Sequence, residues 1–235
     1  MMHRTAVAAL AMAILSAPAA AQQDAGWRPD HSPSQLTTGT YEYTVTTANG
    51  AQHFTKTLEQ VAEGEADYRY STAMNMGGMD IVQSTTFTDQ FRPVASHVTG
   101  PSVSAELHYG GDRVTGQVSL PTGVNQVDAA ITPDAVGTGM DALAIALTDL
   151  SERESFTFRM SDGGDLHEIT VTVEGEEEVT VPAGTFDAYR LTASTAAGDT
   201  QIWVTRDAPH LLLRQSVQGG AATIELQNIR RDGGT

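Results

Sequence analysis

Residues Met74-Asn75-Met76-Gly77-Gly78-Met79 gather three thioethers in six positions. Thioethers are soft ligands that select copper(I), the oxidation-sensitive form of a metal met outside the cytosol. On a strand Met74 and Met76 share a face, and Met79 returns across the glycine pair. No histidine lies near them, and a hairpin with methionine as adaptable apolar filler accounts for the cluster more simply. His97 and His108 flank Gly100-Pro101 and invite a metal or acid–base reading. If Val98 pairs with Val103, His97 faces Ser104 and His108 faces Pro93, roughly 13 Å apart along the sheet. That is too far for shared ligation, and both fall on the polar face, as surface histidines do.

The remaining patterns are weaker. His167-Glu168 lacks a second histidine four residues on, and no Gly-x-Ser-x-Gly elbow or phosphate-cradling glycine loop is present. Asp162-Gly-Gly-Asp165 lacks the further carboxylates of a calcium loop and reads as a turn. Glu174-Gly-Glu-Glu-Glu178 reads as a solvated strand end. No catalytic, cofactor-binding or metal-binding residue is assigned, and no cofactor. Carboxylates and histidines that converge only in the fold stay open.

Composition narrows the classes. The 235 residues carry a net charge of −16, with no cysteine and a single lysine, Lys56, against twelve arginines. An acid excess of this size excludes the basic footprint of a nucleic-acid binder. The absence of cysteine excludes disulfides, thiolate metal sites and cysteine nucleophiles. Six Tyr, six Phe and two Trp are too few for aromatic girdles, and the chain ends Asp232-Gly-Gly-Thr235, so an integral outer-membrane barrel is not expected.

The N-terminus carries an export signal. His3 and Arg4 precede an apolar run from Ala6 to Leu15, too short to span a bilayer, and Ala19-Ala20-Ala21 satisfies the small-residue rule for cleavage. Removal of residues 1–21 would deliver a periplasmic or secreted protein. Residues 22–36, with Pro29 and Pro33, read as a flexible lead-in, and 231–235 as a disordered tail.

Between them, 37–230 reads as a single β domain. Tyr41, Tyr43 and Val45 alternate with Glu42 and Thr44, and Val103, Ala105, Leu107 and Tyr109 with Ser104, Glu106 and His108. Phe156/Phe158/Met160 and Ile169/Val171/Val173 repeat the pattern. One apolar and one polar face is the mark of antiparallel sheet with a solvated side. Turn formers such as Asn49-Gly50, Gly110-Gly111-Asp112 and Gly198-Asp199 fall at short intervals. About a dozen strands in a curved antiparallel sheet, a half-barrel or barrel, are expected. Met140, Leu143, Ala144, Leu147 and Leu150 instead repeat at helical spacing, which predicts one amphipathic helix over 139–150 packed on that sheet.

Val179 to Leu191 reads Val-Thr-Val-Pro-Ala-Gly-Thr-Phe-Asp-Ala-Tyr-Arg-Leu, and Ile202 to Arg214 supplies Trp203 and Pro209. This pairing resembles a family of exported bacterial proteins of unknown function with a V-P-A-G-T-F-x-x-Y-R hairpin. That family is similar to the outer-membrane lipoprotein carriers of the Lol system, which implies a curved half-barrel with helices across its concave face. The motif consists of turn formers and core candidates (Val179, Val181, Tyr189, Leu191), so it marks a fold and carries no catalytic residue across.

A non-enzymatic binder or carrier of an apolar ligand, a lipid or acyl chain, is the leading expectation. The alternatives are a module that meets an envelope protein, and a hydrolase whose site forms only in the fold. The discriminating feature is the cavity, if any, between the 139–150 segment and the sheet.

Overall fold

Alternation translates into fourteen antiparallel strands in the computed structural model, which describes residues 27–76 and 78–231. The signal segment and residues 232–235 lie outside the described residues. The first arm of the meander comprises β1 (Gly39–Thr47), β2 (Gly50–Glu63), β3 (Ala66–Met76) and β4 (Met79–Phe87), then β5 (Pro93–Gly100), β6 (Val103–Gly110), β7 (Arg113–Leu120) and β8 (Gly123–Ala130). The second comprises β9 (Ser155–Ser161), β10 (Leu166–Val181), β11 (Gly184–Thr195), β12 (Gly198–Thr205), β13 (Leu212–Val217) and β14 (Ala222–Arg231). Pairing of β1 with β14 joins the arms into one sheet whose edges are β8 and β9.

The edges do not pair with each other, so the barrel expectation is corrected to an open, curled sheet. What bridges the gap is the crossover between the edges, residues 131–154. Its Val136 N–H donates to the Arg159 carbonyl of β9 at 2.7 Å, and Ser161 N–H donates back to Val136 at 2.9 Å. At its other end Ile131 N–H donates to the Asp112 carbonyl of the β6–β7 turn at 2.8 Å, one rung beyond the β7–β8 pairing. On the β9 side the strap thereby meets backbone demands that an edge strand otherwise leaves open.

Curling brings the inner faces of both arms onto one core. Tyr43, Phe54, Leu58, Tyr68, Tyr70 and Phe87 from the first arm meet Phe158, Val171, Leu191, Ile202 and Leu226 from the second. Val179, Val181, Tyr189 and Leu191 of the Pro182-Ala183 hairpin are all buried. A smaller cluster of Leu107, Val114, Ile131 and Ala135 fills the β6–β8 end.

The helix differs from its expectation. α1 (Asp141–Ala146) has six residues, and the chain leaves helical geometry at Leu147. The apolar set read at helical spacing does face inward, since Met140, Ala144 and Leu147 are fully buried and Leu150 nearly so. However, residues 143–148 are buried on every side, so the segment is not an amphipathic helix lying on the sheet. It is a plug inside the curl, where an all-apolar helix belongs.

Four hydroxyls fix the plug. Thr138 Oγ1 donates to the Ser161 carbonyl at 2.8 Å and lies 3.1 Å from the Tyr109 hydroxyl. Tyr109 reaches Ser96 Oγ at 3.2 Å, Ser96 lies 2.7 Å from Thr85 Oγ1, and Thr85 donates to the Thr138 carbonyl at 2.8 Å. Every member is satisfied, which is what makes a buried polar network tolerable.

The lead-in is also corrected from Trp27 onward. Trp27 packs its ring against Phe91 and Phe158, with centroids 6.0 and 5.6 Å away. The N–H groups of Asp30 and His31 both donate to the Leu147 carbonyl, and Arg153 pairs with Asp30 at 2.6 Å. Arg231, assigned to the tail from sequence, closes β14 opposite Gly39.

Candidate functional site

The inner face is closed by the plug along most of its length and open at one end. There a cleft of about 530 Å³ lies between α1 and the sheet. Leu58, Tyr43 and Tyr70 project from β1–β3 as one wall, because residues at alternate positions of paired strands share the inner side. Ala142, Leu143 and Ala146 of α1 form the opposite wall. Phe186, the 205–212 turn and Ile229 complete the lining, and Thr37, Asp187, Arg206, Asp207 and Arg231 lie at its polar parts. The lining therefore mixes apolar side chains with charged and polar ones.

Burial sets the protonation states here. It pushes the Tyr43 and Tyr70 hydroxyls well above the usual phenol range, with Tyr70 adding to the effect on Tyr43, and Asp141 to that on Tyr70. Both stay neutral, and Tyr43 donates to the Leu212 carbonyl at 3.1 Å. His210, 4% exposed, is pushed below the usual imidazole range by burial, against the opposing hydrogen bond to Thr205. Its Nδ1 lies 2.7 Å from the Thr205 carbonyl and so carries the proton, and its ring meets Tyr189 edge-on at 5.7 Å. Nε2 is buried with no hydrogen-bond partner among the described residues. His210 thus acts as a neutral packing group in the cleft wall.

The residues singled out from sequence do not converge on this cleft. Met74 packs against the core in β3, paired with Ile81, while Met79 is 42% exposed across the hairpin turn. For the histidines the assumed register is wrong by two residues. Gly100 pairs with Val103 around a two-residue turn, so His97 faces Glu106 and His108 faces Ala95. They are diagonal neighbours, about 7 Å apart by strand geometry, not four residues apart. Both are exposed on the outer face, where His108 lies 3.5 Å from Glu106. Asp162–Asp165 forms the β9–β10 turn, and His167 pairs with Asp162 at 2.8 Å. Glu176 and Glu177 are exposed on β10 near Arg206 and Arg190. Among the described residues no three acidic or histidine side chains are placed to hold a metal.

Sequence reasoning passed over Lys56. Its parity in β2 with Phe54 and Leu58, both buried, places it on the inner face, and its ammonium lies 5.6 Å from the Tyr70 ring centroid. The signal was available as one polar residue in step with two apolar ones.

Residues 38–227 match the model of a family described as a protein of unknown function, DUF3108. The chain belongs to the DUF3108 family. Curated proteins include none that matches this DUF3108 member in sequence. A crystal structure of a beta-barrel-like protein of domain of unknown function DUF1849 from Brucella abortus is similar over 85% of this chain and all of that one, with a TM-score of 0.57 and 10% identity. That likeness shows a shared fold. A Bacteroides fragilis protein with a YmcC-like fold aligns over 87% of this chain and all of its own, at 14% identity and a TM-score of 0.30. No helix among the described residues is long and apolar enough to cross a membrane.

Proposed function

We propose that the protein is an exported, non-enzymatic carrier that holds an apolar ligand in the cleft between α1 and β1–β3. The cleft itself carries this reading: about 530 Å³ falls within the range of small-molecule sites, and apolar side chains from β1–β3 and α1 face each other across it with polar groups alongside. The titratable side chains of the cleft and the hydroxyls of the plug support it too. Tyr43 and Tyr70 are locked neutral, His210 Nε2 has no contact with solvent, and the Thr85–Ser96–Tyr109–Thr138 hydroxyls have no base beside them.

Native mass spectrometry of the purified protein, followed by solvent extraction, tests the reading. A co-purifying aliphatic molecule is the expected result, together with its displacement on filling the cleft by Ala146→Trp. Protein that carries nothing and takes up no aliphatic probe refutes it. A second reading, pairing with an envelope protein, is favoured by one observation. The outer edge of β8 has no partner strand, and Val124 on it is 57% exposed.

A further inference from the structure

Lys56 is the one lysine among thirteen basic side chains, and it is turned toward the interior. Eight arginines make ion pairs with carboxylates: Arg69, Arg113, Arg153, Arg159, Arg190, Arg206, Arg214 and Arg230. Lys56, like Arg28, Arg92 and Arg231, has no carboxylate within ion-pair distance among the described residues, although the chain carries 29 acidic residues. Asp141, in the first turn of α1, acts on Tyr70 and forms no ion pair with Lys56. With an aromatic face as its one described partner, the ammonium keeps donors to spare, since three N–H bonds point from it.

Its surroundings suit a partner for those donors. Lys56 pairs with Tyr41 on one side and Thr72 on the other, and Thr72 pairs with Gln83, so an uncharged polar row continues from it along the inner face. Tyr41, Leu58 and Tyr70, the side chains around Lys56, line the cleft, and Lys56 and Thr72 lie beside that lining rather than in it. An apolar volume therefore adjoins an uncompensated cation with hydrogen-bonding neighbours. We infer that Lys56 is the anion-recognising group of this site, and that the ligand is a single-chain amphipathic anion. Its apolar chain occupies the cleft and its head group meets the Lys56 ammonium beside Thr72. The inference rests on the carrier reading and adds the chemistry of the head group to it.

The test pairs two probes that differ only in the head, sodium decanoate and 1-decanol, titrated calorimetrically into the full-length protein. Wild type should bind decanoate at least about tenfold more tightly than decanol. Lys56→Met, which keeps the aliphatic stem, should abolish that preference and leave decanol binding unchanged, whereas Lys56→Arg should retain it. Matching melting temperatures across the variants establish that the fold is intact. Equal affinities in wild type, or a preference that survives Lys56→Met, overturn the anion assignment while the carrier reading stands. Failure to bind either probe overturns both.

Discussion

Truncation of Leu147 asks whether the strap is core or a cover. The side chain is fully buried in the main cluster, just beyond α1, and Leu147→Ala removes its isopropyl group without touching the backbone. The carbonyl of residue 147 continues to accept the N–H groups of Asp30 and His31 at 2.9 and 3.0 Å, so the lead-in stays clipped. Only packing is lost. Buried leucine truncations cost about 2–5 kcal/mol, toward the upper end where the surroundings cannot collapse. Here the sheet lies on one side and the clipped 30–31 backbone on the other, so about 4 kcal/mol is expected. For a domain of this size that lowers Tm by about 8–16 °C. Urea unfolding followed by tryptophan fluorescence and by far-ultraviolet circular dichroism measures it, with coincident curves as the sign of one cooperative unit. Leu120→Ala, at a side chain 42% exposed in β7, serves as the control and should shift stability by no more than about 0.5 kcal/mol. A loss below about 1 kcal/mol for Leu147→Ala, with unchanged m, would refute the plug: the strap would then open independently and the α1 wall of the cleft would not be fixed.

Thr138→Val leaves the Tyr109 hydroxyl and the Ser161 carbonyl short of a partner, and should cost about 1–3 kcal/mol in the same urea assay. Gly116 sits at φ +146°, and a Cβ there would lie 2.0 Å from the Glu106 carbonyl oxygen, so Gly116→Ala should force β6 and β7 apart. Amide exchange that accelerates in β6–β8 while the β9–β14 arm stays protected would show it. His210 is held below its ordinary pKa of 6.5, so as pH falls the unfolded chain takes the proton first. The stability this group contributes is complete above pH 6.5 and is lost as pH drops through the lower folded value. The slope is at most about 1.4 kcal/mol per pH unit, and His210→Gln should flatten that limb in urea midpoints measured across it.

Legibility of the fold in the sequence followed the strength of local signals. Inner and outer faces could be read strand by strand, because alternation is enforced wherever one side is buried: Leu107 lies inward and His108 outward, as their types require. Strand register was less accessible. A two-residue turn at Pro101-Ser102 and a longer one around Gly100-Pro101 satisfy the same residues, and choosing between them moved His97 two positions against β6. The helix was misjudged in length for a physical reason. Met140, Leu147 and Leu150 keep helical spacing because they fill a plug from consecutive turns, and burial rather than backbone hydrogen bonding selected their types. Docking of Trp27 carried no local signal at all, since a tryptophan among prolines and polar residues reveals its pocket only when Phe91 and Phe158 are placed. The cleft was invisible for the same reason: its walls come from β1–β3, α1 and the 205–212 turn, which only the closure of β1 on β14 brings together.

That closure also makes the cleft a built cavity. The α1 wall and the 205–212 turn are tied by backbone hydrogen bonds: His210 N–H donates to the Ala146 carbonyl of α1 at 3.0 Å, Leu147 holds the lead-in, and Thr205 N–H donates to the Leu211 carbonyl at 2.9 Å across the turn. A ligand entering between such walls needs no segment to order around it, and the conformational cost that weakens many complexes is small. Discrimination must then come from chemistry already in place rather than from closure. Most of that lining is apolar and takes any aliphatic chain of suitable size. Arg206 and Arg231 lie in that lining, Arg206 paired with Asp187, and the inward-facing Lys56 beside it is the group proposed to distinguish one head group from another.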